Sequence, residues 1–230
     1  MSVELRIVED PAADCAQLLG EIAARGGHIA LAGGSTPKQA YAKAAALPGS
    51  WAPAHLWFGD ERCVPADDER SNYGMVEQEL LQALRDRGEL PHIHRIEGEL
   101  GAEQAADHYE AELRAAGPPR FDLVLLGVGP DGHTASLFPG KPALSERSRL
   151  AVPVQEAGLE PFVPRVTLSF PALASGKQIV FLIAGAAKAE IVERVFGQRQ
   201  ADEDELPSQT LITMSESVIL LTDAAAAARL

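Results

Sequence analysis

Short apolar runs recur along the chain and predict the strands of a buried sheet. Six such runs are separated by more polar stretches, at residues 29–32, 56–59, 123–128, 166–169, 179–184 and 218–221. None of them alternates strictly between apolar and polar positions. Each run therefore predicts a strand that is buried on both faces, as in a parallel sheet.

The stretches between these runs are rich in Ala, Leu and Glu, and their apolar residues recur at helical spacing. They predict helices at residues 38–46, 72–84, 102–115 and 188–196, and a short helix capped by Asp223 at residues 224–228. Glycine, proline and acidic residues predict loops at residues 117–119, 156–164 and 201–207. Strands that alternate with helices predict a doubly wound α/β fold, with residues 1–230 in one domain.

Charge and cysteine content restrict the class of protein. The net charge of −13 argues against nucleic acid or an anionic membrane surface as a partner. The two cysteines, Cys15 and Cys63, and a charged N-terminus without an apolar signal region predict a cytoplasmic protein that has no disulfide. No apolar run approaches the ~20 residues that span a bilayer.

Several predicted strands end in a polar turn that contains glycine. Ligands of open α/β sheets bind beyond the carboxyl ends of the strands, so these turns are candidate walls of one site. The first turn holds Gly34, Ser35 and Thr36 where a helix is expected to begin. The free N–H groups of such a helix start bind phosphate, although Ser35 or Thr36 could equally be an ordinary helix cap.

The second turn follows the run at residues 56–59. Asp60 is a candidate active-site carboxylate and Arg62 a candidate substrate clamp, although a surface ion pair would give the same pattern. Asn72, a little further on, is a candidate helix cap. Nothing marks Cys63 as a nucleophile, because no base is positioned beside it in the sequence.

The third turn, residues 127–136, is the richest in candidate chemistry. Asp131 and His133 lie two residues apart on a glycine-rich bend, where a carboxylate can orient an imidazole for proton transfer. The glycines also match the Gly-x-Gly-x-x-Gly spacing of dinucleotide sites. We reject that interpretation, because Pro130 and Asp131 do not suit the helix start that such a site requires.

Two cations complete the candidate site. Lys188 lies at the start of a predicted helix, where a positive charge opposes the helix dipole unless an anion is bound. Arg165 precedes the run at residues 166–169. Each also has a plainer interpretation: Lys188 could extend to water, and Arg165 could pair with a surface carboxylate.

In order along the chain, these motifs resemble the signatures of 6-phosphogluconolactonases, within the glucosamine-6-phosphate isomerase/6-phosphogluconolactonase family. The resembling segments are residues 33–37, 60–62, 71–73, 129–139, 165–169 and 185–188. The likeness runs from about residue 9 to residue 230, and residues 129–139 are its most specific part. In the related isomerases a Glu lies five residues after the loop histidine, whereas this chain has Phe138 there. The family often has a Trp in the last strand, where this chain has Leu220 and Leu221.

The resemblance implies a modified doubly wound (Rossmann-like), mostly parallel sheet flanked by helices. It also implies hydrolysis of 6-phospho-D-glucono-1,5-lactone to 6-phosphogluconate in the oxidative pentose phosphate pathway, without a metal or an organic cofactor. Under this hypothesis His133 is the general base, and Asp131 or Asp60 orients it. Arg62 or the backbone N–H groups of residues 129–132 would stabilise the oxyanion. The substrate phosphate would be held by Gly34, Ser35, Thr36, Arg165 and Lys188.

Two other functions stay open from the sequence. An isomerase or deaminase of an amino-sugar phosphate is disfavoured by Phe138, because an apolar ring cannot relay a proton. A sugar-phosphate sensor without catalytic activity would leave Asp131 and His133 without a role, and the sequence shows no helix-turn-helix segment.

Overall fold

The computed structural model describes residues 3–117, 121–197 and 205–230. Its main feature is a seven-stranded sheet in which every neighbouring pair of strands is parallel. In spatial order the strands are β1 (Glu4–Ile7), β10 (Val218–Thr222), β9 (Ile179–Ile183), β6 (Leu123–Leu126), β2 (His28–Leu31), β3 (His55–Phe58) and β5 (His92–Ile93). The mostly parallel α/β sheet predicted from the sequence is confirmed. Parallel pairing also brings the carboxyl ends of these strands to one edge.

Helices flank this sheet. Their bounds are α1 (Pro11–Ala24), α2 (Ser35–Ala46), α3 (Asn72–Val76), α4 (Gln82–Asp86), α5 (Ala102–Ala115), α6 (Phe170–Ala174), α7 (Ala189–Phe196) and α8 (Pro207–Met214). A π-helical turn, Glu77–Leu81, joins α3 to α4, so the predicted helix at 72–84 is continuous in the chain but not uniform in geometry. In the described part of the chain, no helix is both long enough and apolar enough to cross a membrane.

The assignment of residues 166–169 to the parallel sheet was wrong. Residues 166–168 lie in β8 (Arg165–Leu168), the central strand of a separate antiparallel sheet between β4 (Asp60–Arg62) and β7 (Ala151–Val154), and Ser169 caps α6. All four residues of β8 are buried. A continuous apolar run indicates that both faces of a strand are buried. It does not indicate whether the neighbouring strands are parallel or antiparallel, and for β8 they are antiparallel.

The predictions for the connecting segments had mixed outcomes. Residues 156–164 form a loop, as predicted. Residues 224–228 form hydrogen-bonded turns and not a helix, although Asp223 does accept the N–H of Ala226 at 2.7 Å. Residues 118–119 and 201–204 lie outside the described residues, and Pro207 begins α8.

Three histidines lie at the amino ends of neighbouring strands, at the sheet edge opposite the polar turns, and a fourth, His94, follows β5 and stacks on His55. His28, His55 and His92 are aligned across β2, β3 and β5, with ring centroids 4.4 and 4.5 Å apart. Trp57 Nε1 donates to Nδ1 of His28 at 3.1 Å, and Nδ1 of His55 lies 2.9 Å from Nε2 of His94. Since an imidazolium cannot accept a hydrogen bond, these contacts need His28 and at least one ring of the His55–His94 pair to be neutral.

We expect the thermal stability of the protein to fall when the pH drops from 7 to 5. Burial is the main cause that lowers the pKa of His28, and burial with the neighbouring rings lowers that of His55 from 6.5 to about 4. The unfolded chain therefore binds more protons than the folded chain below about pH 6.5, and stability is lost as the pH falls towards 4. Because the rings are partly exposed, solvent screening limits the effect to ~1 kcal/mol, or ~2–4 °C in Tm.

Scanning calorimetry of His55→Gln at pH 7 and pH 5 tests this expectation. The variant should lose part of the difference in Tm between the two pH values. His108→Gln is the matched control, since His108 is exposed and pairs with Glu97 outside the stack. Equal pH dependence in the wild type and both variants would contradict the assignment.

Candidate active site

A cleft of about 270 Å³ lies beyond the carboxyl ends of β2, β6 and β9 and reaches the second sheet. Its walls include all the site residues predicted from the sequence except Asp131, namely Gly34, Ser35, Thr36, Asp60, Arg62, His133, Arg165 and Lys188. Residues from turns that are more than 150 positions apart in sequence thus share one cavity. The sheet topology places them together, as expected for an open α/β sheet.

His133 is held by Asp131, which stands behind it. Nδ1 of His133 lies 2.5 Å from Oδ1 of Asp131, and the backbone N–H of His133 donates to the same oxygen at 3.2 Å. Burial opposes the charge of Asp131, but the hydrogen bond and charge of His133 outweigh it, and the pKa of Asp131 lies below its ordinary value. A carboxylate at this position requires the imidazole proton on Nδ1. Nε2 then carries the lone pair that a general base needs.

The loop around His133 depends on two glycines. A Cβ atom at Gly129 would lie 2.0 Å from Cε1 of His133, so the imidazole can lie against the backbone only where no side chain intervenes. Gly132 adopts a φ of 82°, a left-handed conformation that strains other residues. The Gly129 N–H donates to the carbonyl of His133 at 2.9 Å, and the Gly132 N–H donates to that of Gly129 at 3.0 Å.

These two hydrogen bonds change the prediction for the oxyanion site. The amides of Gly129 and Gly132 are already used within the loop, and Pro130 has no N–H group. Most of the N–H groups of residues 129–132 are therefore not free to bind an oxyanion. Of the two alternatives from the sequence, the geometry favours Arg62.

Asp60 has other partners than His133. Its Oδ2 accepts the hydroxyl of Ser136 at 2.5 Å, and its Oδ1 accepts Nδ2 of Asn72 at 3.0 Å. Among the described residues, Asp131 is the carboxylate hydrogen-bonded to His133 and Asp60 is not. Asn72 is not the helix cap that the sequence suggested, because Ser71 caps α3 and accepts the N–H of Gly74.

Arg62 and Arg165 lie opposite each other on β4 and β8. Arg165 is only 3% exposed, and Nη1 lies 4.0 Å from Oδ2 of Asp60, so it is not the surface ion pair considered from the sequence. Nη1 of Arg62 donates to the carbonyl of Arg70. In the described ranges, Nε of both arginines is buried and has no hydrogen-bond partner. Two guanidinium groups with spare donors therefore face one cleft, which suits an anionic ligand.

Glu61 holds the segment that carries Arg62, a role that the sequence pattern did not predict. Glu61 is 2% exposed and accepts the backbone N–H groups of Arg62, Asn72 and Tyr73 and the hydroxyl of Ser71. Burial raises its pKa, although these hydrogen bonds oppose the shift. The sequence feature that could have identified Glu61 is its position, because it is a charged residue directly after an apolar strand. Apart from the adjacent Arg62, its partners lie ten or more positions away, so the sequence did not identify them.

The opposite wall of the cleft offers backbone donors and an amine. Helix α2 begins at Ser35 with Gly34 in the cap position at a φ of 110°, and no side chain caps it, so Ser35 and Thr36 are not the caps that the sequence allowed. Their N–H groups have no partner within the helix. Lys188 does not extend to water, because its Nζ donates to the carbonyl of Val128 at 2.8 Å. Burial lowers the pKa of Lys188, and the charge of Asp131 opposes that shift.

Comparison with known proteins identifies the family. Residues 6–220 match the family described as glucosamine-6-phosphate isomerases/6-phosphogluconolactonase. The chain belongs to this family. A 6-phosphogluconolactonase from Synechocystis sp. is 38% identical over 210 residues, which cover 87% of this chain and 84% of that protein. One from Rattus norvegicus is also 38% identical, over 81% of this chain and 72% of that protein.

Among solved structures, the 6-phosphogluconolactonase from Trypanosoma brucei is similar over the whole chain. Its TM-score is 0.82 at 30% sequence identity, with coverage of 100% of this chain and 99% of that chain. The family description joins two activities, so membership alone does not choose between isomerase and lactonase. The names of these three relatives all give the lactonase.

Proposed function

We propose that the protein hydrolyses 6-phospho-D-glucono-1,5-lactone to 6-phosphogluconate, as a 6-phosphogluconolactonase of the oxidative pentose phosphate pathway. The observation that carries the proposal is the pairing of His133 with Asp131 in the same cleft as a cluster of cationic and amide donors. A base at one end and an anion site at the other fit a small substrate that bears both a reactive carbonyl and a phosphate. The names of the relatives support the same activity.

His133 acts as the general base in this mechanism. Nε2 takes a proton from a water molecule while the water oxygen forms a bond to C1 of the lactone. When the tetrahedral intermediate collapses, the bond between C1 and the ring oxygen breaks, and the imidazolium returns the proton to the departing oxygen. The products are the carboxylic acid, which ionises, and the free hydroxyl. Asp131 keeps the imidazole in the required tautomer and stabilises its transient charge.

Arg62 stabilises the developing oxyanion. Its Nε is buried and unpaired in the described structure, and its turn is fixed by Glu61. Donors that are already positioned before the reaction need no reorganisation as charge develops. Asp60 has an indirect role in this proposal. Its carboxylate lies beside Arg165 and accepts hydrogen bonds from Asn72 and Ser136, which holds this side of the cleft together.

The phosphate binds at the other end of the cleft. The N–H groups at the start of α2, on Ser35 and Thr36 next to Gly34, combine with Arg165 and Lys188 to hold it. Binding energy from this remote group fixes C1 against the attacking water, which lowers the barrier without taking part in the chemistry.

A comparison of substrates tests the proposed function. We expect the purified protein to hydrolyse the phosphorylated lactone well above its spontaneous opening, and to release no ammonia from glucosamine 6-phosphate. Glucono-1,5-lactone, which lacks the phosphate, should show a KM at least ~10-fold higher, because charge-assisted hydrogen bonds are lost. Ammonia release without lactone hydrolysis would instead identify a deaminase, and binding without turnover would identify a sensor.

The proposal also includes three predictions from the sequence that the structure does not test. They are a cytoplasmic location, the lack of a nucleic-acid partner, and a reaction that needs no metal or organic cofactor. The arrangement of His133 and Arg62 described above requires no further group for lactone hydrolysis. Activity that survives dialysis against a chelator would support the last of the three.

A further inference from the structure

One aromatic ring contacts both ends of the catalytic arrangement. The Phe138 ring lies with its centroid 4.5 Å from that of His133, at an interplanar angle of 43°. Cζ of Arg165 lies over the same ring, 5.2 Å from its centroid. Phe138 is completely buried, so solvent separates neither contact.

The hydrogen bond to Asp131 alone does not fix the imidazole. A single bond through Nδ1 leaves the ring free to rotate about the bond direction, and that rotation would redirect Nε2. Packing against the ring faces prevents it. Gly129 lies against the imidazole, with its backbone close to Cε1, and Phe138 supplies a second packing contact.

Arg165 depends on the same ring. Its Nη2 donates to the carbonyls of Leu159 and Pro161 at 3.0 and 3.1 Å, and its Nε has no partner in the described ranges. The aromatic face attracts the guanidinium and helps to offset the loss of hydration. The loop that provides these carbonyls also packs on Phe138, since a Cβ atom at Gly158 would lie only 2.9 Å from Cδ1 of that ring.

We infer that Phe138 is a positioning residue that sets the distance and orientation between the imidazole of His133 and the guanidinium of Arg165. The inference rests on the proposed function, in which these groups act on opposite ends of one substrate. A flat, rigid ring that touches both groups transmits a displacement of one to the other. A flexible apolar side chain of similar volume would fill the space without fixing their relative orientation.

Phe138→Leu tests the inference against a matched control, Phe121→Leu. Phe121 is equally buried at 1% exposure but packs against Trp57, near the histidine stack and away from the cleft. Both variants should lose thermal stability to a similar extent. Only Phe138→Leu should lower kcat/KM, by ~10–100-fold, with a lower kcat and a higher KM, since displacement of reacting groups by about 1 Å is costly.

Nitrogen-15 NMR of the His133 side chain provides a measurement independent of activity. The wild type and Phe121→Leu should show one sharp neutral tautomer with the proton on Nδ1, and Phe138→Leu should show a broadened or averaged signal. Unchanged kinetics, or an unchanged imidazole signal in Phe138→Leu, would overturn the inference. If the wild type had no lactonase activity, the proposed function would fail, and the NMR comparison would still decide whether Phe138 positions His133.

Discussion

We expect replacement of His133 by alanine to lower kcat by ~10²–10⁴-fold, the usual cost of losing a general base. The structure gives the reason, because Asp131 holds the proton on Nδ1 and His133 lines the cleft. Substrate binding should largely survive, since the proposed phosphate donors lie on α2, β8 and the turn that carries Lys188. The measurement is steady-state lactone hydrolysis with the spontaneous rate subtracted at each substrate concentration.

Two further variants make this result specific. His108→Ala removes a histidine from the surface, where its side chain is 52% exposed, and should leave kcat unchanged. Asp131→Asn keeps the shape of the side chain but removes the charge that orients the imidazole, so its kcat should fall between the wild type and His133→Ala. A wild-type kcat in His133→Ala would remove His133 from the role of base.

We expect Lys188→Met to raise KM by ~10–100-fold with little change in kcat. Methionine keeps most of the length and volume of lysine, and only the charged donor is lost. A hydrogen bond to a charged partner contributes ~1.5–3 kcal/mol, which gives the expected range for a phosphate contact. In the proposed binding mode the phosphate lies far from C1, so its interaction with Lys188 should be equal in the ground state and the transition state, and the loss of that interaction should appear in KM.

Lys38→Met is the control for Lys188→Met. Lys38 is a lysine near the start of α2, but its side chain is 52% exposed and pairs with Glu79. Its KM should stay within twofold of the wild type. If Lys188→Met lowers kcat and leaves KM unchanged, Lys188 acts near the reacting carbonyl and the phosphate lies elsewhere. Glucono-1,5-lactone separates the two cases, since its KM should be insensitive to Lys188→Met.

The candidate site was largely predictable because its residues follow strands. Gly34, Asp60, Asp131 and Lys188 each come shortly after an apolar run in the sequence. In a parallel sheet the segments that follow the strands meet at one edge. The positions of these residues along the chain were therefore enough to predict that they lie close together. The catalytic roles themselves came from a resemblance in motifs and from side-chain chemistry, and they stay predictions that the variants above test.

Hydrogen-bond partners were less accessible from the sequence. It could not choose between Asp131 and Asp60 as the partner of His133, because both carboxylates end up near the cleft. The choice depends on the conformation of the loop that carries His133, which the left-handed Gly132 and the close approach of Gly129 shape. The roles of Glu61 and Phe138 were hidden for a similar reason, since their importance lies in what packs around them.

The sequence by itself predicted strands and helices where the apolar pattern is pronounced, and it predicted which polar turns carry reactive groups, because burial pattern and residue chemistry are local properties. The elements that it did not predict are β1, β4, β5, β7, α1, α6 and α8. Only the tertiary structure decided that β8 (Arg165–Leu168) leaves the parallel sheet and pairs with β4, which places Arg165 opposite Arg62. It also turned Lys188 inward to the carbonyl of Val128. Both outcomes depend on contacts between residues about 60 to 100 positions apart, which no local pattern encodes.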